Sequence, residues 1–223
     1  MTFSDPVLAP WLLGLCFAVS AVFLGVALSR RPWRVLLDDN RLQHRWLAAT
    51  VVVMLMWQLR AQAVDWLTLH LMFTALLTLI FKAPLALITV TLINLAMATI
   101  GRSDWSLVGI NVFVTGVMPA LTISITWRLV DRFLADNLMV FIFICGFFGS
   151  ALSSLFAGLS AVGLVLIGAS DPDVVRNAIE YARFLPLLMP SEAFITGMLL
   201  SILVVYHPEW VATFSEHRYI DTK

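Results

Sequence analysis

Asp65-Trp66-Leu67-Thr68-Leu69-His70, followed by the apolar run Leu71 to Phe81, decides how this chain folds. His70 opens a hydrophobic segment of about a dozen residues, which Lys82-Ala83-Pro84 brings to an end. At about 1.5 Å of rise per residue the segment covers roughly 18 Å, little more than half of a hydrocarbon core. The segment before it is apolar from Trp46 to Leu59 and then meets Arg60 and Gln62. Irregular backbone survives at membrane depth where it lines a protein-buried cavity, so short or interrupted segments point to binding sites. The spacing therefore predicts a short, re-entrant helix with His70 at its mouth.

The rest of the composition agrees with a membrane setting. The chain has 223 residues, 61% hydrophobic and 13% charged, whereas soluble domains sit near 45–50% apolar with about a quarter charged. Its apolar runs are continuous rather than alternating, which excludes a β-barrel and leaves an all-α, polytopic integral membrane protein of one domain. Formal net charge is zero, so electrostatics point to no nucleic acid and to no acidic partner. Cys16 and Cys145 stand alone inside apolar runs and read as packing residues. Met1 to Pro6 lacks the basic stretch of a cleavable signal peptide, so the first helix is expected to be retained. No phosphate-binding glycine loop, nucleophile motif or G-x-G-x-x-G occurs, and the chain is not expected to be an enzyme.

Seven transmembrane segments are predicted, at about 9–29, 46–64, 70–81, 84–100, 107–130, 137–168 and 184–206, with a cytoplasmic tail over 207–223. Ser170 to Glu180 reads as a polar loop, with Asp171-Pro172-Asp173 as its turn. Arg30, Arg31, Arg34, Arg41 and Arg45 crowd the first connection and assign it to the inside. Lys82, Arg128, Arg132, Arg218 and Lys223 then fall inside, while Arg60, Arg102, Arg176 and Arg183 fall outside or near it. The amino terminus is thus expected outside, on the side of Asp65, His70 and Asp104, and the carboxyl terminus inside.

Several polar constellations accompany these segments. His70, Thr74 and Thr78 share one helix face, and Asn111, Thr115, Thr122 and Thr126 share another. Both faces fit interhelical hydrogen bonding, and the positions of His70 and Asn111 near the ends of their segments fit a ligand site equally. A single histidine is not a metal site; Asp65, Asp104, Asn111, backbone groups and the terminal amine are the further donors, since His44, His207 and His217 are expected at the opposite face. Glu192, within Met189-Pro190-Ser191-Glu192-Ala193-Phe194, is a carboxylate inside a span, where a charge costs roughly 2.5–3.5 kcal/mol or more. It fits either a pair with Arg60 or Arg183 or a cavity, and Thr196 continues its face. Gly146, Ser150, Ser154 and Gly158 recur every fourth residue, a stripe that admits a neighbouring helix closely.

The order of these features resembles the CbiM/NikM type, the substrate-binding membrane subunit of cobalt and nickel energy-coupling-factor transporters. The resemblance runs from Gln58-Leu59 through His70-Leu71 and the Pro84 turn to Leu107-Val108-Gly109-Ile110-Asn111-Val112. Pro190-Ser191-Glu192-Ala193-Phe194 and His207-Pro208-Glu209-Trp210 look like a distinct, permease-like branch. The resemblance implies a seven-helix subunit of the bacterial inner membrane that captures a divalent transition metal ion as substrate from outside, with no covalent cofactor. A separate ATPase pair and a coupling membrane subunit would drive its release. Family ligands are the terminal amine, a histidine at position two and the histidine opening the short helix, which maps onto His70. Here Thr2 stands at position two. The implied metal donors are therefore Met1, His70 and, replacing the missing one, Asp65 or Asp5, with Asn111, Glu192 and Thr74 in support or along a pathway. The alternative is a non-transporting membrane scaffold or accessory subunit of the same fold.

Overall fold

The computed structural model describes residues 1–134 and 137–214; His217, Arg218 and Lys223 and the end of the expected tail lie outside the described residues. A short strand β1, Thr2–Phe3, leads into helix α1, Pro10–Ser29. Helices α2, Pro32–Asp38, and α3, Asn40–Met56, follow, then strands β2, Ala61–Val64, and β3, Leu67–Leu69. The remaining helices are α4, Thr74–Thr99, α5, Trp105–Phe133, α6, Leu138–Gly168, and α7, Pro172–Tyr206. Five of the described helices, α1 and α4 to α7, are long and apolar enough to cross a membrane.

The expected helix over 46–64 is corrected at both ends. Asp39 caps α3 by accepting from the N–H groups of Arg41 and Leu42, so the helix begins at Asn40. It stops at Met56, and Ala61–Val64 becomes a strand instead. β3 lies in the centre of a three-stranded antiparallel sheet, with Thr2 opposite Thr68 and Phe3 opposite Leu67 on one side and β2 on the other. The fold is thus helical with one small sheet. Hydrogen bonds to β1 and β2 hold 67–69 extended, and the helix expected from His70 starts at Thr74.

Lys82 breaks α4, with φ of 63° and ψ of 161°. Pro84 follows at the start of the second arm, where a missing N–H costs nothing. The arms turn back beside each other: the Thr74 hydroxyl donates to the Thr115 carbonyl, and the Asn94 amide donates to the Thr115 hydroxyl. The predicted separation of 70–81 from 84–100 therefore appears as a helical hairpin. At its turn the Leu79 and Ile80 carbonyls accept from Thr213 and Ala212, at 3.3 and 3.0 Å. The stretch after His207, expected as a hydrophilic tail, instead folds back and buries Val211 and Phe214.

Ser170 to Glu180 is likewise not a loop. Asp171 accepts from the N–H of Asp173 and Pro172 takes the first helical position, so α7 begins there and runs for 35 residues. Against it lies the small-residue stripe of α6. A Cβ on Gly158 would meet Leu185 Cδ2 at 2.2 Å, and one on Gly146 would meet Leu200 Cδ2 at 2.9 Å. Gly163, on the same helix, faces open space. Gly158→Val is expected to lower the Tm in detergent by the equivalent of about 1–3 kcal/mol of overpacking, with Gly163→Val close to wild type when the two are compared by thermal unfolding.

Candidate functional site

Residues 57–73 carry the site, because they cross the end of the bundle without forming a helix. Trp57, 2% exposed, donates its indole N–H to the Met72 carbonyl at 3.3 Å and lies against the His70 ring, centroids 4.3 Å apart. Phe73 adopts a left-handed backbone, φ 58°, which turns the chain into α4. Glu192 of α7 accepts from the Met72 N–H. This carboxylate is buried, and its hydrogen-bond partner is a backbone N–H at the mouth of the short helix rather than Arg60 or Arg183. A helix N-terminus presents unpaired N–H groups and favours negative charge, which accounts for a carboxylate at this depth.

The amino-terminal strand completes the site. The Met1 amino group lies 3.0 Å from His70 Nε2 and donates to the His70 carbonyl at 3.4 Å. Asn111 holds the strand from the other side: its Oδ1 accepts from the Phe3 N–H at 2.7 Å, and its Nδ2 donates to the Phe3 carbonyl at 3.2 Å. The side-chain amide thus plays the part of a further strand. Its Nδ2 also donates to the Ser103 hydroxyl at 3.2 Å. Thr2 and Thr68 hydroxyls pair at 2.8 Å, the Tyr181 hydroxyl donates to Met1 Sδ at 3.1 Å, and Phe3 stacks on Trp66.

Burial sets the electrostatics. It pushes the Met1 amino group down to about 5, against the opposing pull of the Glu192 charge. Burial is also the first reason that His70 stays well below the usual histidine range, and the nearby terminal amine is the second. At neutral pH both nitrogens are therefore unprotonated and carry lone pairs. A cavity of about 10 Å³, roughly the room one water or one ion needs, borders His70, Thr2, Trp57, Asn94, Arg60 and Arg102. Arg60 turns toward the Arg102 carbonyl, 2.9 Å away.

The structure brings Met1, His70, Asn111 and Glu192 to one end of the bundle. Thr74 lies just beneath, bonded to the Thr115 carbonyl. Asp5 and Asp65 are exposed, and the hydrogen bonds of Asp65 run through its backbone carbonyl, which accepts from Ser4 and Gln62. Among the described residues no three His, Cys, Asp or Glu side chains cluster as metal donors. Sequence reasoning missed Trp57, Tyr181 and the sheet, since each acts through contacts with residues remote in sequence.

The sequence matches the family described as the cobalt uptake substrate-specific transmembrane region, CbiM, over residues 3–210. No curated protein matches it. Among solved structures, a truncated transition metal transporter superposes with a TM-score of 0.77 at 18% identity, covering 93% of this chain and all of that one. A second transition metal transporter superposes with a TM-score of 0.75 at 17% identity, covering 91% and 92%. The likeness to these two is one of fold.

Asn111→Ala leaves the buried Phe3 N–H unpaired, at a cost of about 1–3 kcal/mol. The expected outcome is faster hydrogen exchange at Thr2, Phe3 and Thr68, with the amides of α6 unchanged; equal exchange in the two proteins would remove Asn111 as the anchor of the strand.

Proposed function

The chain belongs to the CbiM family, and from that premise we propose that it is the substrate-capturing membrane subunit of a metal-uptake system. Its substrate is a divalent transition metal ion of the cobalt or nickel kind. The observation that carries this reading is the approach of the buried Met1 amine to Nε2 of the half-buried His70, 3.0 Å apart. Two neutral nitrogens at this separation, once the hydrogen between them is displaced, would supply half of a square-planar site for nickel or cobalt. Met1 and His70 are the donors in this proposal. Asp5 and Asp65 stand at the rim, where they would attract a cation before it reaches the nitrogens. Asn111 holds the strand that carries the amine, while Glu192 fixes Met72 two residues beyond His70. Thr74 begins the path onward.

In this proposal the site end of the bundle faces outward across a bacterial inner membrane, in keeping with the basic residues near the opposite end. A separate ATPase pair and a coupling membrane subunit, as in energy-coupling-factor systems, supply the energy for release. The lipid bilayer is the surrounding partner, and the chain acts as a transport subunit rather than as an enzyme.

A specific observation favours a second reading. Thr2 replaces the expected histidine, and Arg60 and Arg102 border the cavity beside His70, where positive charge opposes a dication. On that reading the chain is an accessory subunit that keeps the fold without carrying metal. Metal analysis separates the two. Purified wild type dialysed against Ni²⁺ or Co²⁺ is expected to hold about one equivalent and His70→Ala none; no bound metal in wild type would favour the accessory role. The pH dependence has a definite sign. Above the folded pKa of Met1, about 5, the amine is free to bind metal, and below it protons compete. Loading is therefore expected to stay level from neutral pH down toward 6 and to fall as pH drops through about 5.

A further inference from the structure

The hairpin of α4 opens onto a second feature, at the end of the bundle away from Met1. Near the amino-terminal end of α5, α1 packs tightly: a Cβ on Gly109 would lie 2.5 Å from Phe17 Cα, and the Ser20 hydroxyl donates to the Gly109 carbonyl. Farther along α1, a groove of about 690 Å³ lies between the last turns of that helix, the turn of α4 and the second half of α5. Its walls are mostly apolar and include Phe23, Phe81 and Leu121. Arg30, Lys82 and Arg128 line it as well, one cation from each of the three elements, and no carboxylate is among the described residues that line it.

The backbone of Lys82 is strained. A left-handed φ is uncommon for a lysine and persists where surrounding contacts enforce it. Those contacts are the hydrogen bonds from Ala212 and Thr213 to the Ile80 and Leu79 carbonyls, with the Trp127 indole in turn donating to the Thr213 carbonyl. The fold thus holds a cation on an apolar groove at a cost in backbone energy.

We propose that this groove binds an anionic phospholipid, its acyl chain lying against the apolar walls and its phosphate engaged by Arg30, Lys82 and Arg128. The charge complementarity selects this occupant: three cations line one apolar trough, as in basic pockets between membrane helices that hold acidic headgroups. The site is separate from the Met1 and His70 nitrogens, and its test does not depend on metal.

The protein in a neutral detergent is titrated with phosphatidylglycerol or with phosphatidylcholine of the same acyl chains, and thermal unfolding is followed. Phosphatidylglycerol is expected to raise the Tm by about 2–4 °C and phosphatidylcholine to leave it nearly unchanged. The triple variant R30Q/K82Q/R128Q is expected to lose the difference between the lipids. Ser124→Trp, which fills the groove without changing charge, is expected to lose it too, so the test survives if the triple variant fails to fold. An equal rise with both lipids, or a phosphatidylglycerol effect that persists in the folded variants, would overturn the proposal. So would a groove shielded from a Leu121→Cys label by coexpressed membrane subunits when no phosphatidylglycerol effect is found.

Discussion

Backbone polar groups in an apolar bundle must find partners within the protein, and residues 57–73 meet that requirement without a helix. Their solution enlists distant parts of the chain. β1 supplies ladder partners to β3, Glu192 accepts from Met72, and Trp57 donates to the Met72 carbonyl. Asn111 in turn satisfies both backbone groups of Phe3. Each partner comes from a different element, so the end of the bundle is assembled as a unit. The nitrogens of Met1 and His70 meet as a consequence of that assembly.

The same dry environment shapes the chemistry available there. A terminal amine in water is mostly protonated at neutral pH and is a poor ligand. Buried at the end of the bundle, this one gives up its proton more readily, and the imidazole beside it behaves likewise. Neutral donors bind a cation without the cost of stripping two charges of their own. Arg60 and Arg102 border the same cavity, where their positive charge opposes that of a bound cation.

Much of the helical frame was legible in the sequence because the continuous apolar runs of α1, α5 and α6 have no competing period. The break at Lys82-Ala83-Pro84 was legible for a local reason too: a charge and a proline adjoin at the end of a short run. What escaped is non-local. Ala61–Val64 and Leu67–Leu69 are extended through pairing with each other and with Thr2–Phe3, more than sixty residues away in sequence from β3. Asp171-Pro172-Asp173 has the composition of a turn and equally that of a helix start, and the residues after it resolve the choice. His70 and Asn111 stood out as polar residues near the ends of apolar runs. Glu192 also stood out, but its partner, a main-chain N–H, leaves no trace in side-chain patterns.

The arm of α4 from Thr74 to Phe81 is about 12 Å long at 1.5 Å per residue, and both ends of the described chain bear on it. At its beginning, Met1 and Glu192 hold the residues that lead into it; at its finish, Ala212 and Thr213 clasp its last carbonyls. A helix this short does not bend appreciably along its length. It behaves as a strut between two joints, one on the His70 side and the other beside the groove. A shift of Met72 by a fraction of an ångström is therefore delivered to Leu79 and Ile80 with little loss, and the two faces of the bundle share a mechanical element that neither helix packing nor the sheet would supply.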